Sequence, residues 1–382
     1  MAMFKDDPVR PENYRRFERE VPEWFTDAKL GVFVHWGPYS VPAWAEPIGE
    51  LGTIEKQYWF AHNPYAEWYY NTIRIEGSPA AEHQREVYGD APYDDFIDQW
   101  DPAEFDPDEF LALVKSTGAR YFVPTTKHHD GVTLWDAPGT DERNTVARGP
   151  KRDLVGAFEK ATRDAGLRFG VYYSGGLDWH FSQLPPITDD GQEFGRPVDA
   201  AYAEYAYDHV VDLIDRYAPD VLWGDIEWPD AGKPSGPFSM ENLFERFYAA
   251  RPDGVANDRW GETHWDFRTS EYQNGTSVEG TGAWENCRGI GFLVRRHRLA
   301  RRQPAAQRRP HRAGHGPRAP APHPRAPRRL ERRERRRRLR QPPARGRDRE
   351  PVGRAVAALD PHRRHGERLR RRGRRRAPAR CL

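Results

Sequence analysis

Five short apolar runs in the first two thirds of the chain each end in ionisable or aromatic polar residues: VFVHW (32–36), YFVPTTKHHD (121–130), FGVYYSGGLDW (169–179), VLWGDIEW (221–228) and GVANDRW (254–260). Strands buried on both faces read as continuous apolar runs, and parallel α/β architectures gather their reactive groups at the C-terminal strand ends. The pattern therefore predicts a parallel barrel or doubly wound sheet, with His35, His128, His129, Tyr172, Asp178, Asp225, Asp258 and Arg259 converging on one rim.

Helical periods alternate with these runs, as βα units require. They cover 106–119, opened by Asp106 and Pro107 and stopped at Gly118; 155–166, ending at Gly166; 200–218, with Ala206, Val210, Leu213, Ile214 and Tyr217 on one face; and 239–252. Four repeats in order predict an α/β domain. The stretch 37–105 has little period and much Trp, Tyr, Pro and Gly, which reads as an elaborate pocket-building loop after the first strand.

Charge divides the chain in two. Residues 293–382 hold 33 Arg, six acids and no Lys, a net of +27, which leaves 27 basic and 52 acidic residues, a net of −25, in residues 1–292. The overall +2 is a cancellation and says nothing about partners. The first part contains every Trp, Tyr, Lys and Met and is long enough for one barrel, which commonly reaches about 250 residues. The charged start lacks a secretory h-region and no 18-residue apolar run occurs, so neither export nor a membrane span is expected. Two cysteines, Cys287 and Cys381, make no disulfide framework, so a cytoplasmic location is expected. The tail uses mainly Arg, Pro, Ala, Gly, His and Leu, the residues of GC-rich codons, on no structural period. We read it as a disordered segment translated out of frame from near codon 293. The alternative is a basic arm that binds nucleic acid or another polyanion.

Asp225, after the buried run VLWG and between Trp223 and Trp228, is a candidate nucleophile with aromatic surface to hold a sugar ring. The same Asp could simply cap the segment that follows it. Retaining glycoside hydrolysis needs a second carboxyl group about 5–5.5 Å away. Glu271 follows the next strand by a short loop, and Glu227, Glu262 and Glu285 compete with it. Neutral imidazoles at His35, His128 and His129 suit hydroxyl groups. A metal site is disfavoured because no H-x-H or H-E-x-x-H spacing is present. For adjacent histidines on one strand, alternation turns only one inward unless the strand ends there.

Six segments, WFTDAKLGVFVHWGPYSVPAWAEP (24–47), NPYAEWYYN (63–71), GARYFVPTTKHHDGVTLWD (118–136), GVYYSGGLDW (170–179), DVLWGDIEWP (220–229) and GAWENCRGIGF (282–292), resemble in order the α-L-fucosidases of the retaining family, which have a (β/α)8-like TIM barrel and a C-terminal β-sandwich. The resemblance covers nearly all of residues 11–292. It implies Asp225 as nucleophile and Glu271 as acid/base. It also implies a fucose pocket of His35, Glu67, Trp68, His128, His129, Tyr172 and Trp223, with Arg259 assisting beside the carboxylates. No metal or organic cofactor is implied. The expected partner is a fucosylated oligosaccharide or glycoside, with homo-oligomers allowed and neither membrane nor nucleic acid expected; a related exo-glycosidase for another sugar is the neighbouring reading. After Phe292 nothing resembles the family's continuation, so the expected domains are an incomplete catalytic barrel over 1–292 and the out-of-frame segment 293–382, with the β-sandwich absent. As written, such a chain should be poorly soluble or inactive. Soluble, monodisperse expression with normal turnover would overturn that expectation.

Overall fold

A computed structural model of the chain describes residues 10–48, 54–189 and 196–269. The expectations that fall on Glu271, Glu285, the 282–292 segment and the tail lie outside the described residues.

The five apolar runs form the five strands of one parallel sheet: β1 (Gly31–Val34), β2 (Tyr121–Lys127), β3 (Arg168–Ser174), β4 (Val221–Asp225) and β5 (Val255–Ala256), adjacent in chain order. The four expected helices are present as α1 (Pro107–Ser116), α2 (Leu154–Asp164), α3 (Ala200–Tyr217) and α4 (Met240–Ala250). Each begins at a side chain that accepts from otherwise unpaired N–H groups of the first turn: Asp106, Asp153, Asp199 and Ser239. A cap of this kind contributes about 1 kcal/mol. Among the described residues no helix is long and apolar enough to cross a membrane.

Both faces of the sheet are covered, which is why its strands read as unbroken apolar runs. On one face Val32, Phe122, Phe169, Tyr173, Leu222 and Ala256 pack with the apolar stripes of α1 to α4. On the other, Phe33, Val123, Tyr172, Val221, Trp223 and Val255 meet Phe25 and Phe267. Residues two apart share a face. Phe33 and Trp223, then Tyr172, therefore direct this second face toward the strand ends, where the chemistry lies.

Two expectations change. The stretch 37–105 is not one loop, since it holds the ten-residue helix Pro79–Tyr88, capped by Ser78, and shorter turns. The buried positions of that helix are Ala80, Ala81 and Gln84, so it has no large apolar stripe to show in the sequence. The run at 254–260 contributes only two strand residues. The Asn257 N–H still donates to Leu222 O at 3.3 Å, and its side chain extends the link to β4, accepting from Gly224 N at 2.8 Å and donating to Gly224 O at 3.0 Å.

Candidate active site

Asp225 is the last residue of β4, and its carboxylate is held from three sides. The Tyr172 hydroxyl donates to Oδ2 at 2.7 Å, Arg259 Nη1 donates to Oδ1 at 3.0 Å, and the Ile226 N–H donates to Oδ1 at 2.9 Å. The backbone immediately after it is strained: Ile226 has φ +65° and Glu227 +131°. A β-branched residue in that region costs about 1–3 kcal/mol and persists only where neighbours force it. One such neighbour is Gly176, whose N–H donates to Asp225 O at 3.2 Å and where an added Cβ would lie 2.8 Å from the Ile226 carbonyl carbon. Another is Gly175, where a Cβ would lie 2.8 Å from the Glu227 carbonyl oxygen.

His35 follows β1 directly and turns to the same face as Phe33, its ring centroid 4.6 Å from Phe33 and 5.0 Å from Tyr172. The histidine pair escapes strand alternation because β2 ends at Lys127, one residue before it, and the strand is irregular just before its end. Its register against β3 shifts between Thr125 and Lys127, so Lys127 swings to the helix side, its Nζ 4.7 Å above the Tyr173 ring and 3.1 Å from Asp178 Oδ2. Bulges next to sites commonly re-aim side chains in this manner. Past the strand end both imidazoles join the cluster. His128 stacks on Tyr172 at 5.5 Å and meets His35 at 5.0 Å. His129 lies 4.0 Å from His128 and edge-on to Trp68 and Trp179, each at 5.4 Å. Trp68 comes from the tight turn Ala66–Trp68, which also carries half-buried Glu67. Trp223, in register with Tyr172 and two residues before Asp225, stacks on Phe33 at 5.3 Å.

The structure thus brings together His35, Trp68, His128, His129, Tyr172, Trp223, Asp225 and Arg259. Three residues expected there lie elsewhere. Asp178 is buried against Lys127 and caps the short helix after it through His180 N and Phe181 N. Asp258 accepts from Thr269 N at 3.0 Å, beside Arg268. Trp228 is fully buried on the helix face against Trp260, so only Trp223 of the two flanking indoles shares the face of Asp225. Of the competing acids, Glu227 pairs with Arg196 and Lys233, and Glu262 is exposed. Among the described residues no group of three or more His, Cys, Asp or Glu is arranged to hold a metal ion. A cavity of about 520 Å³ lined by Tyr70, Arg74, Tyr93, Asp94 and His180 has none of the cluster in its wall, and its Asp94 is committed to Arg143 and Arg148.

Sequence reasoning missed Ser174 and Thr125. The Ser174 hydroxyl lies 2.7 Å from His129 Nδ1, and the Thr125 hydroxyl 3.1 Å from His35 Nδ1. Their one signal is position: each is on the strand adjoining the one that leads to its histidine, and small hydroxyl residues in a buried strand need a partner.

Burial drives His129 down to about 3, outweighing the pull of Asp225 and Asp178 toward the charged form. Burial also holds His128 well below the usual imidazole value, with His129, His35 and Lys127 adding to it. For Asp225 burial pushes upward, yet Arg259, His129, the Tyr172 hydroxyl and His35 together hold the carboxyl below the usual carboxylate range. Because His129 is neutral above about pH 3, Arg259 and Tyr172 carry that stabilisation at working pH.

A stability consequence follows. His129 and His209 are both lowered to about 3 from the ordinary 6.5, so between these values the unfolded chain binds the more protons. Stability then rises with pH across that window and is lost on acidification, by up to about 1.4 kcal/mol per pH unit for each such histidine. Depressed Asp225 acts in the same direction at lower pH, whereas Asp130, raised by burial, opposes it. Urea midpoints should fall steadily from pH 7 to pH 4.5, and a flat profile would refute this account.

The family model described as alpha-L-fucosidase matches residues 3–302. The Dictyostelium discoideum alpha-L-fucosidase is 29% identical over 285 residues, covering 72% of this chain and 57% of that protein, and the human tissue alpha-L-fucosidase is 34% identical over 251 residues, covering 64% and 47%. Among solved structures, the Thermotoga maritima alpha-fucosidase is similar at 48% identity with a TM-score of 0.63, over 69% of this chain and 58% of that one. The Thermotoga maritima alpha-L-fucosynthase in complex with alpha-L-Fuc-(1-2)-beta-L-Fuc-N3 is similar at 48% identity and a TM-score of 0.66, over 72% and 61%. The chain spans about half the length of the curated relatives it matches. A parallel α/β sheet, a buried carboxylate at the end of its fourth strand and a wall of imidazole and indole rings accompany a family match that runs over most of the sequence, and the chain belongs to the α-L-fucosidase family.

Proposed function

We propose that this chain carries the catalytic centre of a retaining α-L-fucosidase that removes terminal α-L-fucose from oligosaccharides or glycosides. The observation that carries the reading is the Asp225 carboxylate, ionised in a buried site by Arg259 and Tyr172 beside neutral imidazoles and an indole face. Asp225 attacks the anomeric carbon as the glycosidic bond breaks and its oxygen takes a proton, giving a covalent glycosyl-enzyme. Water then cleaves that ester with net retention. Glu271, outside the described residues, is the proposed acid and base. His35, Glu67, Trp68, His128, His129, Tyr172 and Trp223 form the sugar pocket. Sequential strand order without a reversal favours a (β/α)8-like barrel over a doubly wound sheet, which has a switch point.

We place the catalytic domain at 1–292 and read 293–382 as out of frame. Sequencing across codons 285–300 tests that. A neighbouring frame that gives a Gly-Tyr segment followed by runs of period two supports it, and an uninterrupted Arg-rich frame overturns it. For function, proton NMR should follow aryl α-L-fucoside hydrolysis and detect α-L-fucose as the first product. β-L-Fucose as first product would sink the double displacement, and faster cleavage of an aryl galactoside would shift the assignment to another sugar.

A further inference from the structure

We infer that Ser174 and Thr125 are positioning residues that fix the tautomers of His129 and His35, so that His129 meets the sugar as a hydrogen-bond acceptor. A hydroxyl has one proton to give and two lone pairs, while a carbonyl oxygen has none to give. Ser174 Oγ lies 2.9 Å from Leu177 O, so its proton goes there. The 2.7 Å contact with His129 Nδ1 must then be made by a proton on the nitrogen, donated to Ser174. Thr125 repeats the device: its Oγ1 donates to Val34 O at 3.1 Å and so accepts from His35 Nδ1 at 3.1 Å. The two hydroxyls sit on separate strands, β2 and β3, and Ser174 is fully buried, so neither can exchange its carbonyl for water.

The consequence is chemical. A buried, neutral His129 with Nδ1 protonated leaves Nε2 as a lone pair, and Nε2 has no hydrogen-bond partner among the described residues. The nearby Asp225 carboxylate is also an acceptor, so the two cannot satisfy each other. His129 Nε2 therefore requires a donor, and a hydroxyl group of a pyranoside supplies one. Ser174 thus determines which way hydrogen bonds run at this wall, and a deoxy or O-methyl sugar lacking the donor should be rejected. This rests on the fucoside reading for the ligand, but not for the tautomer.

The test uses the full chain labelled with ¹⁵N-histidine, with the His129 signal assigned by its absence in His129→Gln. Without ligand, His129 should show a protonated Nδ1 and an unprotonated Nε2. The opposite tautomer overturns the proposal. In Ser174→Ala the Nδ1–H preference should be lost, and Ser174→Thr, which keeps the hydroxyl, should retain it. Across monodeoxy aryl fucosides, one position should cost the parent about 10- to 100-fold in kcat/KM, the worth of one hydrogen bond in a buried site, and should cost Ser174→Ala less than about threefold by the same reasoning. Equal discrimination in parent and variant overturns the role of Ser174 in specificity. In this chain, or in its in-frame continuation if the reading frame proves shifted, the expected tautomer with no histidine signal moved by fucose supports the tautomer lock and sinks the fucoside reading instead.

Discussion

Asp225→Ala is expected to lower turnover of an aryl α-L-fucoside by about 10⁴-fold or more, the scale on which loss of a covalent nucleophile is felt. Azide should then restore part of the rate and yield the β-fucosyl azide. The geometry gives both halves of this expectation. Asp225 ends β4 on the aromatic face of the sheet, with Arg259 and the Tyr172 hydroxyl holding its carboxyl below the usual carboxylate range. Its removal leaves the Arg259 guanidinium and the Tyr172 hydroxyl facing a gap the size of a small anion. Azide entering there attacks from the side the carboxylate used, and the product keeps the inverted configuration because no second displacement follows. The parent for comparison is this chain, or the in-frame continuation of it if the reading frame proves shifted. A variant retaining more than a tenth of parental turnover, or azide rescue giving an α-azide, would place the nucleophile elsewhere.

How far this site was legible depends on what kind of order each residue obeys. Strand ends are marked by the change from apolar to polar, so His35, Asp225 and the histidine pair were placed by position alone. The helices were legible within a few residues because cap and period agree, as at Asp106 and Asp199. Glu67 and Trp68 are legible only as a carboxylate acceptor beside an apolar platform in AEWYYN (66–71), on a tight turn with no period to announce it, and the resemblance to a family implies their place in the sugar pocket. Alternation met its own exception: β2 ends at Lys127, so both histidines lie past the strand and join the cluster. The register shift that turns Lys127 to the helix side of the sheet has no local sequence signal. Asp178 and Asp258 looked equivalent to Asp225 in position, but each met a stronger local claim, a buried ammonium in one case and a backbone N–H in the other. Ser174 and Thr125 drew no reading from the sequence, because their importance lies in which way a proton points.

Lys127→Met is expected to destabilise the protein by about 3–5 kcal/mol, the cost of leaving one half of a buried ion pair alone. Lys127 is fully buried and Asp178 nearly so, and the ammonium also donates to Ser174 O at 2.9 Å and Leu177 O at 3.4 Å. Burial pulls the Lys127 ammonium below its usual value, and Asp178 and Asp130 oppose that pull, so the charge persists only while its partners are present. Asp178→Asn in the same chain should recover much of the loss, because an amide oxygen can still cap His180 N and Phe181 N while the unpaired charge disappears. Urea denaturation of the parent, the single variant and the double variant decides the matter. A single loss below about 1 kcal/mol would mean the pair is solvated or dispensable, and a double variant no better than the single would mean that packing of the Lys stem, not the charge, is what the fold requires. The same ammonium clamps the Ser174–Leu177 turn whose carbonyl takes the Ser174 proton. The double variant should therefore regain stability without regaining the full Nδ1–H preference of His129, which separates what this buried charge does for the fold from what it does for the site.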